Sequence, residues 1–146
     1  MTVTFFGHRD TPRSILLDLY SVLEYLILNE DAKLFLVGNQ GEFDKTVLFA
    51  LTKLKKIYSH ICCQIVFAYM PNRNLNLPRD IDTVFPLQAA NSLPRFAIEK
   101  RNIWMLNESD LVITYVARSH GGAAHFKKRA LSQGKRVIEL AKNIHP

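Results

Sequence analysis

Leu111 to Val116 (LVITYV) constrains this chain more than any other stretch. It is apolar, β-branched and aromatic, and too short for a helix of its own. A strand buried on both faces of a parallel sheet reads this way, without polar alternation. Ser119, His120, Gly121 and Gly122 follow at once, and then AAHFKKRALSQ, a run of good helix formers. A strand that feeds a glycine-opened helix places free backbone N–H groups and the positive end of the helix dipole at a sheet edge. That arrangement favours an anion.

The rest of the chain repeats the alternation. TVTFF (2–6) is a first strand stopped by Gly7, with Asp10 or Thr11 as helix cap and Pro12 in the first turn. Ile15, Leu19, Val22, Leu23, Leu26 and Ile27 then recur at helical spacing. Leu34 to Val37 is a second strand ending in GNQGEFD, followed by a helical stripe from Phe43 to Leu54. Gln64 to Tyr69 reads as a third strand, Phe96 to Asn107 as a helix, LVITYV as the fourth strand and Lys135 to Leu140 as the fifth. Residues 71–94 hold four prolines and no sustained period. A loop this long in a compact domain is functional or mobile, and it is expected to lie over the site as a flap.

The expected fold is one α/β domain spanning 1–146: a Rossmann-like, doubly wound sheet of about five mainly parallel strands, with helices on both faces. The order 3-2-1-4-5 sets the ends of the first and fourth strands together at a switch point. GHRD, GNQGEFD and SHGG then converge on one crevice.

The totals narrow the partners. With 146 residues and 22% charged, the chain suits a single soluble domain, and Ile15 to Leu28 is too short and too interrupted to span a membrane. The N-terminal MTVTFFGHRD lacks the pattern of a signal peptide, so a cytoplasmic location is expected. Cys62 and Cys63 are adjacent and without zinc spacing, which reads as reduced packing residues and no metal site. The net charge of +6 is spread over Arg9, Arg73, Arg79, Arg95, Arg101 and Arg118, with short clusters at Lys55-Lys56 and Lys127 to Arg129. Dispersed arginines suit a small-anion pocket better than a nucleic-acid track, which is disfavoured but kept as an alternative.

Candidate ligand-binding residues are therefore Gly7, His8 and Arg9 in the first loop and Gly38, Asn39, Gln40 and Gly41 in the second. Arg101, with Ser119, His120, Gly121 and Gly122, completes the set. Arg9 offers a planar fork for phosphate or carboxylate. For acid or base chemistry the candidates are Glu42, Asp44, Glu99 and His8. Glu42 and Asp44 are equally explained as carboxylates favouring a helix start, and Glu99 as part of a surface pair with an arginine. There is no Walker GK[ST], no full GxGxxG and no nucleophile elbow, so no cofactor is specified. Leftover apolar helix surface is one reason to expect a homodimer.

FFGHRD, VGNQGEFD, AYMP, PRFAIEKRNIWML, SDLVITYV, GGAAHF and QGKRVIEL, in this order, resemble the YpsA-like branch of the SLOG superfamily. That superfamily also includes the Lonely Guy phosphoribohydrolases and the DNA-processing protein A family. The resemblance implies a Rossmann-like fold and a nucleotide or nucleotide-derived ligand. Arg101 and Met105 match the Lonely Guy RKxxM segment, with Asn102 in place of lysine. Gly121 and Gly122 match its glycine pair, but Ala124 and His125 replace Gly-Thr, and Lys128 stands where its glutamate is expected. Binding or sensing is thereby implied over hydrolysis of an N-glycosidic or phosphate bond. Single-stranded DNA binding, drawing on aromatics such as Phe6, Tyr69 and Phe96, is the third reading, and most of those aromatics are expected in the core.

Overall fold

The structure, a computed structural model, describes residues 1–72 and 75–142, so Arg73 lies outside the described residues. In chain order the elements are β1 (Thr2–Gly7), α1 (Leu16–Asn29), β2 (Leu34–Val37), α2 (Gly41–Ile57), β3 (Cys62–Val66), β4 (Asp82–Val84) and α3 (Leu87–Ala90). Then follow α4 (Ala97–Asn107), β5 (Leu111–Tyr115), α5 (Gly122–Ser132) and β6 (Arg136–Glu139). All six strands are parallel, in the order β4-β3-β2-β1-β5-β6. The five expected strands keep their expected order, and β4 is added at one edge.

The period-two geometry of β1 explains the two cores. Val3 and Phe5 point to one face, where Leu19, Leu23 and Leu26 of α1 and Phe43, Val47 and Leu51 of α2 cover them. Phe6 points to the other and stacks on Phe126 of α5 at 5.1 Å between ring centroids, beside Met105 and Leu106 of α4. Thr4, also buried, spends its hydroxyl on the Leu36 carbonyl at 2.9 Å. Central strands buried on both sides have no polar face, which is why β5 reads as a continuous apolar run.

Several expectations are corrected. The third strand begins at Cys62, because parallel pairing with β2 sets Leu34 opposite Cys62, and it stops at Val66. Both cysteines are free thiols, and burial pushes that of Cys63 up to about 12. The 71–94 segment supplies β4 and α3; it runs along the sheet edge and packs α3 on α4. None of its described residues lines the cleft between the strand ends, so it is not a flap over that cleft. Neither Asp10 nor Thr11 caps α1. Pro12 leads into a short 3₁₀ turn at Arg13–Ile15, while Thr11 donates its hydroxyl to the His8 carbonyl. A second 3₁₀ turn, Pro94–Phe96, takes the first residues expected of α4. Of the three aromatics, only Phe6 is buried; Tyr69 and Phe96 are 44% and 43% exposed.

Among the described residues no helix is long and apolar enough to cross a membrane. No group of three or more His, Cys, Asp or Glu side chains there could hold a metal ion.

Candidate functional site: a cationic cleft at the carboxyl edge of the sheet

The carboxyl ends of β1, β2 and β5 open onto a cleft of about 380 Å³. Its floor is Phe5, Phe6 and Met105, and its walls carry Gly7, His8, Arg9, Gln40, Asp44, Arg101, Asn102, Arg118, Gly121 and Gly122. This is the switch point, where β1 lies between β2 and β5 and the chain leaves in opposite directions.

Arg101 dominates the electrostatics. It is only 2% exposed, although an isolated buried guanidinium is expensive. Nε donates to Asn102 Oδ1 at 2.8 Å, and Nη1 donates to the Val66 carbonyl at 3.0 Å and to Asn39 Oδ1 at 3.4 Å. Among the described residues Nη2 has no hydrogen-bond partner, and no carboxylate comes within ion-pair distance of the group. Burial lowers its pKa, and Asp44 opposes that most strongly. Among the described residues Glu99 forms no ion pair with an arginine: Glu99 and Arg95 are both exposed, Arg95 lying over the Phe96 ring, and Arg101 turns inward.

Asp44, in the first turn of α2, is the one carboxylate lining the cleft among the described residues. Its Oδ2 accepts the Gln40 backbone N–H at 2.9 Å. Loss of solvation pushes the carboxyl up to about 6, against the pull of the Gln40 N–H and then of Arg101 and Arg9. The residue keeps some exposure where it borders the cleft.

His8 is 5% exposed and ties the β1 end to the β5 end, its Nε2 accepting the Ala117 N–H at 3.0 Å. Burial lowers its pKa, with Arg118 adding to the effect. A neutral ring whose Nε2 is already engaged acts here as a brace. Glu139 at the end of β6 braces the same loop by accepting the Val116 N–H at 2.9 Å, and it also accepts the Ala141 N–H just past its own strand at 2.9 Å. Arg118 meets Asp10 through two hydrogen bonds of 3.1 and 3.3 Å, which holds the Asp10 carboxyl below its usual range. Arg9 is exposed and forms no ion pair among the described residues.

Of the sequence-derived candidates, Gly7, His8, Arg9, Gln40, Arg101, Gly121 and Gly122 come together on the cleft, with Asp44. Gly38, Asn39 and Gly41 stand behind it. A Cβ at Gly38 would lie 2.8 Å from Asp44 Oδ2 and 2.9 Å from Arg101 Nη1, and one at Gly41 would lie 2.7 Å from Arg9 Cα. Ser119 and His120 are exposed outside the lining, and Glu42 faces Arg13 and Lys45. Arg118 and Asn102 were not among the candidates. Arg118 had a sequence signal, since it falls just past the end of a central strand; Asn102 is reached only through the orientation of α4.

The fold has a solved counterpart. DNA processing protein A from Streptococcus pneumoniae superposes with a TM-score of 0.67 at 17% identity, over 94% of this chain and 49% of that one. The likeness is one of fold. This chain spans about half the length of that protein. No protein-family profile matches the sequence, and no curated protein does either.

Proposed function

We propose that the cleft binds a nucleotide or nucleotide-derived anion and that the protein is a binding or sensing module of the YpsA-like branch. The observation that carries this is Arg101, a guanidinium 2% exposed that lines the cleft with no carboxylate at ion-pair distance among the described residues. Buried charges are paired in stable proteins, so an anionic ligand is the fitting partner. Gly121 and Gly122 supply the seat. A Cβ at either would meet nothing within 4 Å, leaving backbone N–H groups at the start of α5 open to a phosphate. Arg9 adds a fork at the rim.

The test is a thermal-shift series with nucleoside mono-, di- and triphosphates, ADP-ribose and cyclic nucleotides. A binder raises the melting temperature with concentration. The Cβ of Gly122→Val meets no atom within 4 Å, so the variant should melt like the wild type and lose the ligand response. Arg9→Ala should weaken the response. No response from the wild type, or an unchanged one in Gly122→Val, sinks this reading.

Asp44 favours a second reading, hydrolysis of a nucleotide. It is a cleft carboxylate with its pKa pushed up to about 6, suited to proton transfer near neutral pH. Free base or phosphate released by the wild type and lost in Asp44→Asn would establish it. The fold shared with a DNA processing protein, together with exposed Tyr69 and Phe96, keeps single-stranded nucleic acid as a third. That reading requires oligonucleotide affinity to fall steeply with salt.

A further inference from the structure

A carboxylate is an odd wall for an anion site. Asp44 opposes any phosphate in the cleft, and its own burial already disfavours the charged form. Its hydrogen bond to the Gln40 N–H has a structural explanation, since it satisfies a free donor at the start of α2. That role occupies Oδ2 alone. Among the described residues Oδ1 accepts no hydrogen bond, and the side chain borders the cleft. An ionised carboxylate only accepts, so whatever fills the cleft beside it must bring a donor.

Topology says which part of the ligand that is. The starts of α2 and α5 follow β2 and β5, which flank β1. Gly121-Gly122 and Asp44 therefore approach the one cleft from opposite sides of β1. A bare phosphate or pyrophosphate on the glycines offers no donor at Asp44. A nucleoside phosphate spans the gap and presents the vicinal hydroxyls of its sugar, while its base is left to the apolar side of Ile98 and Met105.

We propose that Asp44 is a specificity-determining residue that accepts a hydrogen bond from the sugar hydroxyls of the bound nucleotide, so that the cleft prefers ribonucleotides over nucleotides lacking those hydroxyls. The proposal rests on the nucleotide reading above and deepens it. Arg101 and Asp44 then divide the ligand between them: the guanidinium takes charge, the carboxylate takes the sugar. Both converge over Gly38, where a side chain would displace them.

The experiment is calorimetric titration of the full chain with the four ribonucleoside 5′-monophosphates and their 2′,3′-dideoxy counterparts, on wild type, Asp44→Asn and Asp44→Ala. Asparagine keeps an oxygen for the Gln40 N–H, so this variant folds even if alanine does not. For each base that binds, the wild type should hold the ribonucleotide about tenfold more tightly than the dideoxy form, the worth of one charge-assisted hydrogen bond. That ratio should shrink in Asp44→Asn and approach one in Asp44→Ala, which a purely structural role would not produce. Equal binding of both sugars by the wild type overturns the proposal and leaves the nucleotide reading standing. A ribose preference undiminished in both variants overturns it too, by assigning the sugar to another residue. Failure of both sugar forms to bind overturns the nucleotide reading itself.

Discussion

The two walls of the cleft carry the same sequence signature, glycines just after a parallel strand, for opposite physical reasons. On the β1–β2 side the protein fills the space. A Cβ at Gly7 would sit inside the ring of Phe43, and one at Gly41 would strike the backbone of Arg9. On the β5 side nothing lies within 4 Å of a Cβ at Gly121 or Gly122. A glycine crowded by its own protein is a packing residue. A glycine on a cleft wall with empty space around it leaves room that its own protein does not fill, and in sequence the two look alike.

The largest effect should come from the crowded wall. Gly7→Ala forces Cβ into a fully buried ring, and the overpacking should cost about 3 kcal/mol, read as a drop in chemical-denaturation midpoint. Gly41→Ala adds a clash with Arg9 to a φ of +85° and should cost about 2 kcal/mol. If either variant proved as stable as the wild type, the two walls would not differ in the way described.

Next is the carboxylate between the walls. The pKa of Asp44 rises on folding from the usual 3.8 to about 6. The folded state therefore holds this proton to higher pH than the unfolded chain. Its contribution is fully present below about pH 4 and is lost as pH climbs through 6. At pH 7 to 8 the charged group destabilises, and Asp44→Asn should be more stable than the wild type by up to about 3 kcal/mol. The difference should close by pH 4, as denaturation midpoints across pH 4 to 8 would reveal. His8 runs the other way: its lowered pKa makes stability full above about 6.5 and weaker as pH falls below it. A measurement on the Asp44→Asn background separates the two. A residue whose removal stabilises the fold while impairing ligand discrimination is kept for function.

The smallest effects belong to the open wall. Gly121 has φ +97° and ψ 175°, a region essentially closed to other residues, so Gly121→Ala should cost about 1–2 kcal/mol without any clash. Gly122→Val has no positive φ to strain and no atom within 4 Å of its Cβ, and should stay within about 0.5 kcal/mol of the wild type. Loss of stability in Gly122→Val would mean the space is not open.

Much of the architecture was legible because it is local. LVITYV, TVTFF and LFLV announce buried parallel strands by composition, the stripes of α1 and α2 announce amphipathic helices by period, and right-handed crossovers then leave few strand orders. β4 was hidden because Asp82-Thr83-Val84 has no apolar run and becomes a strand only by pairing with Gln64, Ile65 and Val66. Arg101 was legible as a ligand-binding candidate but its burial was not, because helical spacing tells which residues are neighbours and not which face the helix presents to the sheet.

What the sequence determined by itself was the βα alternation, the parallel sheet and the convergence of three glycine-bearing loops at one edge, all consequences of periodicity and chain connectivity. Only the tertiary structure decided that Arg101 is buried without a carboxylate at ion-pair distance among the described residues, that Asp44 alone of the candidate carboxylates borders the cleft, and that the Gly121-Gly122 pair is open while Gly7, Gly38 and Gly41 are crowded. Those depend on what stands opposite each residue in space. The partners come from helices and strands 35 to 109 positions away along the chain, as in Arg101 to Val66 and Ala117 to His8, a separation no local pattern encodes.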